Sequence, residues 1–127
     1  METRRTPPGR LAADHGAAEP LCEHFRSAAE VLGQRWNPQI IRILLAGPIR
    51  FGHLRDAIPG ISDRLLSERL KSLEAEGIVR REVTPRTPVR IEYSLTEKGA
   101  DLTEAITSLA EWAERWATEG SPAGAPA

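Results

Sequence analysis

Hydrophobic residues recur every three or four positions in five stretches of the chain, the spacing of one buried helix face. The stretches are residues 22–32, 38–46, 51–58, 62–76 and 96–117. Glycine and proline separate them at Gly33, Gly47-Pro48 and Pro59-Gly60. The pattern therefore predicts a mainly helical domain. Asn37 is the predicted N-cap of the second helix, with Pro38 at its first position.

The fourth helix is amphipathic. Leu66, Leu70 and Leu73 share one face at spacings of four and three. The opposite face is polar and holds Arg64, Glu68, Lys71, Ser72 and Ala75, with Ser67 on its flank. Ser62 is the predicted N-cap, and Asp63 suits the positive end of the helix dipole. One side should pack on the domain while the other faces solvent.

Two strands with basic residues follow this helix. Val79 to Thr84 and Val89 to Leu95 are rich in β-favouring side chains, and Ile91, Tyr93 and Leu95 alternate. The connection Pro85-Arg86-Thr87-Pro88 carries Arg86 at its tip, where it could reach DNA or be a solubilising loop charge. Short helix, turn, longer helix and hairpin together predict an α+β winged helix-turn-helix, mainly α with a small β wing, a shape that docks on duplex DNA.

The last predicted helix, Thr96 to Ala117, carries a long apolar stripe. Its members are Leu102, Ile106, Leu109, Trp112 and Trp116. A stripe of this length exceeds what so small a domain is expected to cover, and exposed contiguous apolar surface usually marks an interface. We expect a dimer through this helix, joined by the helix at 22–32. The alternative is that the stripe belongs entirely to the intramolecular core.

The net charge of −1 over 127 residues is low for a DNA-binding protein. Its distribution is uneven, because the hairpin is basic while residues 96–119 are acidic. The hairpin bases are Arg80, Arg81, Arg86 and Arg90, against Glu82 and Glu92. The basic part can face phosphate while the acidic helix faces away. These charges can equally be ordinary solvated faces.

The domain prediction is one ordered unit at 20–117 between a flexible arm at 1–19 and a flexible tail at 118–127, both rich in glycine and proline. No apolar run approaches the roughly 20 residues that cross a bilayer, and the N-terminus lacks a secretory signal. The single cysteine, Cys22, cannot form an internal disulfide. These observations favour the cytoplasm. No catalytic, cofactor-binding or metal-binding motif is present, so we expect no enzyme activity, cofactor or metal.

Three sequence runs resemble the HxlR family of bacterial winged helix-turn-helix transcription regulators. They are W-x-x-x-I-I-R-x-L-L-x-G-P-x-R-F-x-x-L at 36–54, PGIS-x-R-L-L-S-x-R-L at 59–70 and RIEYSLTEKG at 90–99. The resemblance covers about residues 21–117. It implies a homodimer whose two recognition helices read a pseudo-palindromic double-stranded DNA operator, with half-sites about one helical turn apart.

The resemblance also assigns DNA-contacting residues. The recognition helix is 62–76, beginning with Ser62, and the residues expected near bases are Arg64, Leu65, Ser67, Glu68 and Lys71. Arg50, His53, Arg86 and Arg90 are backbone or wing candidates. Arg64 suits guanine and Glu68 suits cytosine N4. Arg69 lies nearer the packed face, where we expect it to pair with a carboxylate.

Cys22 occupies a position where some members of this family sense oxidants or electrophiles. The family usually has proline next, whereas this chain has Glu23. A neighbouring carboxylate disfavours the thiolate, while a helix N-terminus or Arg26 favours it. The sequence leaves open whether Cys22 is a redox sensor or a small packed hydrophobe.

The sequence therefore predicts a dimeric transcription regulator, a repressor, with an oxidant or a small molecule as its effector. The alternative is a winged-helix protein-interaction module without specific DNA binding. The low net charge and Glu68 on the exposed helix face keep that alternative open.

Overall fold

The computed structural model describes residues 20–117. The helices are α1 Glu23–Leu32, α2 Asn37–Leu44, α3 Phe51–Ala57, α4 Asp63–Ala75, α5 Glu97–Ala100 and α6 Thr103–Ala117, and the strands are β1 Ile49–Arg50, β2 Val79–Thr84 and β3 Arg90–Leu95. A helix-rich chain with a small antiparallel sheet confirms the predicted fold class. The predicted arm and tail lie outside the described residues.

The chain forms two compact units, divided between Glu30 and Val31. The first contains most of α1, and every described side chain in it is exposed, including Phe25 at 62%. Phe25, Ala28 and Ala29, which recur at helical spacing, are therefore exposed in the single chain. Val31 and Leu32, which belong to the second unit, are half-buried.

The core of the second unit is built from the apolar faces of α2, α3, α4 and α6 together with the start of β2. Its members are Ile40, Ile41, Leu44, Leu54, Ile58, Ile61, Leu66, Leu70, Leu73, Ile78, Val79 and Ile106. Leu66, Leu70 and Leu73 of α4 are all buried, which confirms the predicted packed face of that helix. The core therefore fixes which side of α4 remains available to a partner.

The sheet has the order β1-β3-β2 and is antiparallel throughout. In β1, Ile49 lies opposite Tyr93 and Arg50 opposite Glu92. The pattern did not predict β1, because two residues are too few to show an alternation. It ties the start of α3 to the hairpin.

Helix α2 begins differently from the prediction. Asn37 is not the N-cap but lies within the helix, where it is buried and its Nδ2 donates to the Val31 carbonyl at 2.8 Å. Trp36 holds the cap position with a left-handed φ of 80°. Burial of the Asn37 amide beside a carbonyl that needs a donor outweighs the capping preference.

The predicted last helix is two helices. Thr96 caps α5, its hydroxyl accepting from Gly99 N at 3.0 Å, and the Thr103 hydroxyl donates to the Ala100 carbonyl at 2.6 Å. These local bonds compete with a continuous helix. Gly99 is buried, and a Cβ there would overlap the Ile78 carbonyl, so the backbones approach closely. The break directs α6 back onto α2.

Candidate nucleic-acid interface

Helix α4 is closed at both ends by local hydrogen bonds. At its start the Ser62 hydroxyl accepts from Leu65 N at 3.1 Å, which confirms the predicted N-cap. At its end Ile78 N donates to the Leu73 carbonyl at 2.9 Å, and Gly77 N donates to the Glu74 carbonyl at 3.0 Å. These two bonds define a Schellman motif with Gly77 in the left-handed conformation. The helix ends abruptly, and the first strand of the wing begins at Val79, two residues after Gly77.

The polar face of α4 lies opposite its buried leucines. Arg64, Glu68 and Lys71 are exposed along this face, whereas Ser67 is half-buried on its flank. Leu65 is also half-buried and packs against the core. We call the set Arg64, Ser67, Glu68 and Lys71 the reading face.

Arg64 and Glu68 pair with each other on the reading face. Arg64 Nε lies 3.5 Å from Glu68 Oε2, one helical turn away, and both side chains are largely exposed. Such an exposed pair contributes only about 0.3–0.5 kcal/mol. A base edge can therefore displace it at little cost.

Arg50 and His53 are exposed at the start of the helix-turn-helix. Arg50 occupies the N-cap position of α3 as well as β1, and His53 lies one turn into α3. The structure thus places both on the outer surface of the helix that precedes the reading helix.

The strand register divides the wing into two faces, because successive side chains of a strand point to opposite sides. Arg80 lies opposite Ser94, Glu82 opposite Glu92, and Thr84 opposite Arg90. One face therefore gathers Arg50, Arg80, Arg90, Glu82 and Glu92.

Arg90 and Arg86 differ in availability. Arg90 Nη1 lies 3.6 Å from Glu92 Oε2, and both side chains are about one third exposed. Arg86 is exposed between the two strands, at the tip of the wing. Arg80 is exposed on the same face as Arg90 and is a further candidate for phosphate contact. The strand register, which the pattern alone did not supply, is what identifies Arg80.

Two arginines of the helix-turn-helix form bonds with other groups of the same chain. Arg55 Nη1 lies 2.9 Å from Asp63 Oδ1, and its Nε lies 3.2 Å from Asp56 Oδ1. The hydrogen bond with Asp63, followed by that with Asp56, raises the pKa of Arg55. Arg69 Nε donates to the Arg35 carbonyl at 2.9 Å. The prediction that Arg69 pairs with a carboxylate is wrong, because the nearest acceptor is this backbone oxygen.

The C-terminal end of α4 is bonded to the segment after the wing. Lys98 Nζ donates to the Glu76 carbonyl at 2.6 Å, and the Thr96 hydroxyl donates to the Gly77 carbonyl at 2.6 Å. These bonds satisfy carbonyl oxygens that a helix end leaves without partners. They connect the reading helix to the segment that follows the wing.

Cys22 is exposed and immediately precedes α1. Its carbonyl accepts from Arg26 N at 3.0 Å, so the residue stands at the helix N-terminus. Arg26 Nη2 lies 3.1 Å from Glu23 Oε2. The two charged groups that the sequence placed in competition beside the thiol therefore pair with each other.

The apolar stripe of α6 is split between core and surface. Ile106 is 4% exposed and Leu102 is half-buried against the core, so the prediction of an interface role for these two is corrected by their burial within one chain. Leu109, Trp112 and Trp116 are 52%, 55% and 54% exposed. Beside them runs an open groove of 830 Å³ lined by residues of α2, α6 and the end of α3, including Trp36, Ile43, Ile58, Leu109 and Ala113.

Within residues 20–117, no helix combines the length and apolarity needed to span a bilayer. In the same range, no three histidine, cysteine or acidic side chains cluster as metal ligands.

The structure has the parts that define the winged helix-turn-helix class. They are a short helix, a glycine turn, an amphipathic helix with an exposed polar face and a basic hairpin. The chain belongs to the HxlR-like helix-turn-helix family, whose sequence model matches residues 31–121. The family and the relatives below are transcriptional regulators and not enzymes.

Two relatives from Bacillus subtilis (strain 168) illustrate the similarity. The uncharacterized HTH-type transcriptional regulator YvaP is 48% identical over 96 residues, which cover 76% of this chain and 89% of YvaP. The HTH-type transcriptional regulator YodB is 44% identical over 100 residues, which cover 79% of this chain and 89% of YodB.

Solved structures give the same result. Reduced YodB matches with a TM-score of 0.70 and 43% identity, covering 80% of this chain and 100% of that chain. The redox regulator HypR in its oxidized form matches with a TM-score of 0.70 and 36% identity, covering 72% of this chain and 95% of that chain. YodB has also been solved in diamide-treated and quinone-bound forms.

Proposed function

We propose that this protein is a homodimeric, sequence-specific repressor of transcription that inserts α4 into the major groove and rests its wing on the backbone or in the minor groove. The observation that carries the proposal is the reading face, an exposed polar surface on a helix whose opposite side is anchored by three buried leucines. Occupation of promoter DNA would block access by the transcription machinery. The proposed location is the cytoplasm, where the DNA is.

The reading face offers both hydrogen-bond donors and acceptors. Arg64 can bond bidentate to guanine and Glu68 can accept from cytosine N4, each contact discriminating by about 1–3 kcal/mol. Ser67 and Lys71 flank them, and Leu65 offers an apolar edge. The side chains of Arg64 and Glu68 lie within ion-pair distance of each other, so we expect them to contact adjacent bases.

The remaining candidates position the protein on the duplex. Arg50, His53 and the start of α4 at Ser62 lie before the reading face, while Arg86 and Arg90 lie on the wing. Phosphate contacts fix register and orientation without reading sequence. Arg90 must first leave Glu92, so Arg86 is the stronger contact of the two.

Dimerisation through α6 is supported by the three large apolar side chains that the core leaves uncovered. Leu109, Trp112 and Trp116 step along one side of the helix and are each about half exposed. Such surface favours burial against a second copy. A two-fold axis there would present two α4 helices to successive major grooves, roughly 34 Å apart, on a pseudo-palindromic operator.

The dimer is tested by replacing Trp112 with glutamine and measuring sedimentation velocity over a range of concentrations. We expect the Trp112→Gln dimer to dissociate at a higher protein concentration than the wild-type dimer. Glu111→Gln is the matched control, because it alters the neighbouring exposed residue and should leave association unchanged. A dimer unaffected by Trp112→Gln would contradict this interface.

The proposed effector is an oxidant or electrophile acting on Cys22, by analogy with YodB and HypR. In one route, the thiols of two copies release two electrons and two protons to an oxidant such as diamide and form an intersubunit disulfide. In another, the Cys22 thiolate attacks a small-molecule disulfide, breaks its S–S bond, keeps one half as a mixed disulfide and releases the other half as a thiol. The exposure of Cys22 at the start of α1 supports access by such reagents.

A protein-interaction module is the second candidate function, favoured by the net charge of −1 and by Glu68 on the reading face. Salt dependence separates the two candidates. A DNA-binding dimer that neutralises several phosphates loses affinity with a logarithmic slope of about −0.9 per phosphate. A protein-interaction module would bind DNA weakly at every salt concentration.

The decisive experiment is fluorescence anisotropy on DNA from upstream of the protein's own gene and on a scrambled duplex, in parallel with selection from randomised duplexes. We expect a selected, pseudo-palindromic site to be bound in preference to scrambled DNA. If selection enriches no site and the salt slope is near zero, the DNA-binding proposal fails.

The redox experiment repeats the anisotropy measurement after diamide treatment of the protein. Oxidation should change the affinity of the wild-type protein, and Cys22→Ser should remove that change while sparing binding in the reduced state. A response that persists in the serine variant would exclude Cys22 as the sensor.

A further inference from the structure

Two arginines in the helix-turn-helix are directed to partners inside the protein. Arg55, on α3, bonds Asp63 at the first position of α4. Arg69, on α4 itself, bonds the Arg35 carbonyl in the segment before α2. In a DNA-binding motif such cations would ordinarily be assigned to phosphates. Here each one instead connects α4 to a different neighbouring segment.

The two connections lie on opposite flanks of the buried stripe of α4. At about 100° per residue, Asp63 and Arg69 are about 120° apart around the helix, with Leu66, Leu70 and Leu73 between them. Apolar packing alone resists separation of the helix from the core but opposes rolling less. A bond on each flank opposes rotation in both directions.

Rolling of α4 would disturb recognition. Side-chain tips lie about 5–6 Å from a helix axis, so a roll of about 20° displaces them by about 2 Å. Hydrogen bonds tolerate only about 0.5 Å of variation in length. The reading face must therefore be held in rotation as well as in position if Arg64 and Glu68 are to meet base edges.

The Arg35 carbonyl is itself held in an unusual local structure. Trp36 adopts a left-handed φ of 80°, which is rare for a bulky residue and persists only where the surroundings enforce it. A Cβ added at Gly60 would lie 3.6 Å from Trp36 Cη2, so the indole packs beside the turn between α3 and α4. Arg35 Cζ lies 4.8 Å from the centroid of the same ring. The acceptor of Arg69 is thereby fixed relative to the turn.

We propose that Arg55 and Arg69 are positioning residues that set the rotation of α4, and that they are not DNA contacts. The proposal rests on the proposed DNA-binding function and deepens it, because it separates the basic residues that contact DNA from those that orient α4. Both bonds are partly exposed, so their contribution to folding stability is small. The variants that remove them should therefore fold.

The first test is Arg69→Met, which keeps the length of the side chain but has no donor for the Arg35 carbonyl. Binding is measured by anisotropy on the selected duplex and on scrambled DNA over a salt series. We expect the ratio of specific to non-specific affinity to fall about tenfold, the order of one lost base contact. The salt slope should remain close to that of the wild type. Arg69→Lys keeps a donor for the Arg35 carbonyl and should restore most of the ratio. Thermal unfolding confirms that both variants are folded at the assay temperature.

The second test removes the Arg55 bond without removing the cation. Asp63→Ala removes the acceptor oxygen of this bond. It should raise affinity for scrambled DNA, because one negative charge is lost, while lowering the specific-to-non-specific ratio. Lys71→Gln is the control for an ordinary contact on the reading face. A phosphate contact by Lys71 in each subunit would lower the magnitude of the salt slope by about 1.8 in this variant, about 0.9 per subunit.

The outcomes are distinct. A salt slope whose magnitude falls by about 1.8 in Arg69→Met, about 0.9 for each subunit of the dimer, with equal losses on both duplexes, would make Arg69 a phosphate contact and overturn the proposal. Unchanged ratios in both Arg69→Met and Asp63→Ala would also overturn it. A wild-type protein without sequence preference would instead defeat the proposed function, which the same titrations reveal before any variant is compared.

Discussion

Replacing Gly77 with alanine perturbs the junction between the reading helix and the wing. Gly77 has a φ of +78° and supplies the left-handed residue of the Schellman motif that ends α4. Its carbonyl also accepts the Thr96 hydroxyl at 2.6 Å. The conformation of this single residue therefore determines where the wing leaves the helix.

The cost of the substitution comes from the backbone and not from crowding. The added methyl would meet Lys98 Cδ at 3.8 Å and Lys98 Nζ at 3.9 Å, both ordinary contacts. A left-handed backbone costs an L-residue about 1–2 kcal/mol. We expect Gly77→Ala to lower the free energy of unfolding by about 1 kcal/mol, which lowers Tm by about 4–8 °C in a domain of this size.

Thermal and urea unfolding at one fixed protein concentration measure this effect, because a dimer's stability depends on concentration. Gly52→Ala is the matched control. Gly52 lies in α3 without a positive φ, and its Cβ would meet only Arg55 Nη2 at 3.7 Å. Alanine there should stabilise by about 0.5–1 kcal/mol. If both variants shifted stability in the same direction, the argument from backbone conformation would be refuted.

Five further substitutions separate stability from recognition. Leu70→Ala empties a position that is 1% exposed and should cost about 2–5 kcal/mol in urea unfolding, whereas Val83→Ala, at a 46% exposed site, should cost far less. Ser62→Ala removes the acceptor of Leu65 N and should cost about 1 kcal/mol; an unchanged Tm would disprove its capping role. In anisotropy, Arg64→Ala should reduce sequence preference most, while Arg86→Ala should weaken binding to all duplexes. Equal losses on specific and scrambled DNA from both arginine variants would contradict these roles.

The candidate site was predictable wherever its residues are neighbours along one helix. The spacing of Leu66, Leu70 and Leu73 determines which side of α4 is buried, and the reading face follows from it. Ser62 was predictable as a cap because its hydroxyl acts on an amide three residues away. These features depend on helix periodicity and short-range hydrogen bonding, which the order of residues specifies.

The sequence did not predict contacts between residues far apart in the chain. Arg69 and the Arg35 carbonyl are separated by 34 residues, and nothing in the local pattern selects a backbone oxygen over a carboxylate. Even over six residues, the capping preference misassigns Asn37, because it does not show that the side chain bonds the Val31 carbonyl of the preceding helix. Ile106 was placed at an interface because periodicity groups it with Trp112 and does not show where the core ends.

The sequence by itself thus determined the order of the longer helices and the hairpin strands, the winged helix-turn-helix class and the polar face of α4, since these follow from periodicity, turn residues and caps. Tertiary structure decided which cations remain available to DNA, how the terminal stripe divides between core and surface, and how α4 is held in rotation. The physical reason is that a charged side chain pairs with, and an apolar side chain packs against, whichever groups the fold brings near it. Arg55 and Arg64 are both arginines of one motif, but folding gives the first a carboxylate on the next helix and leaves the second on the exposed reading face.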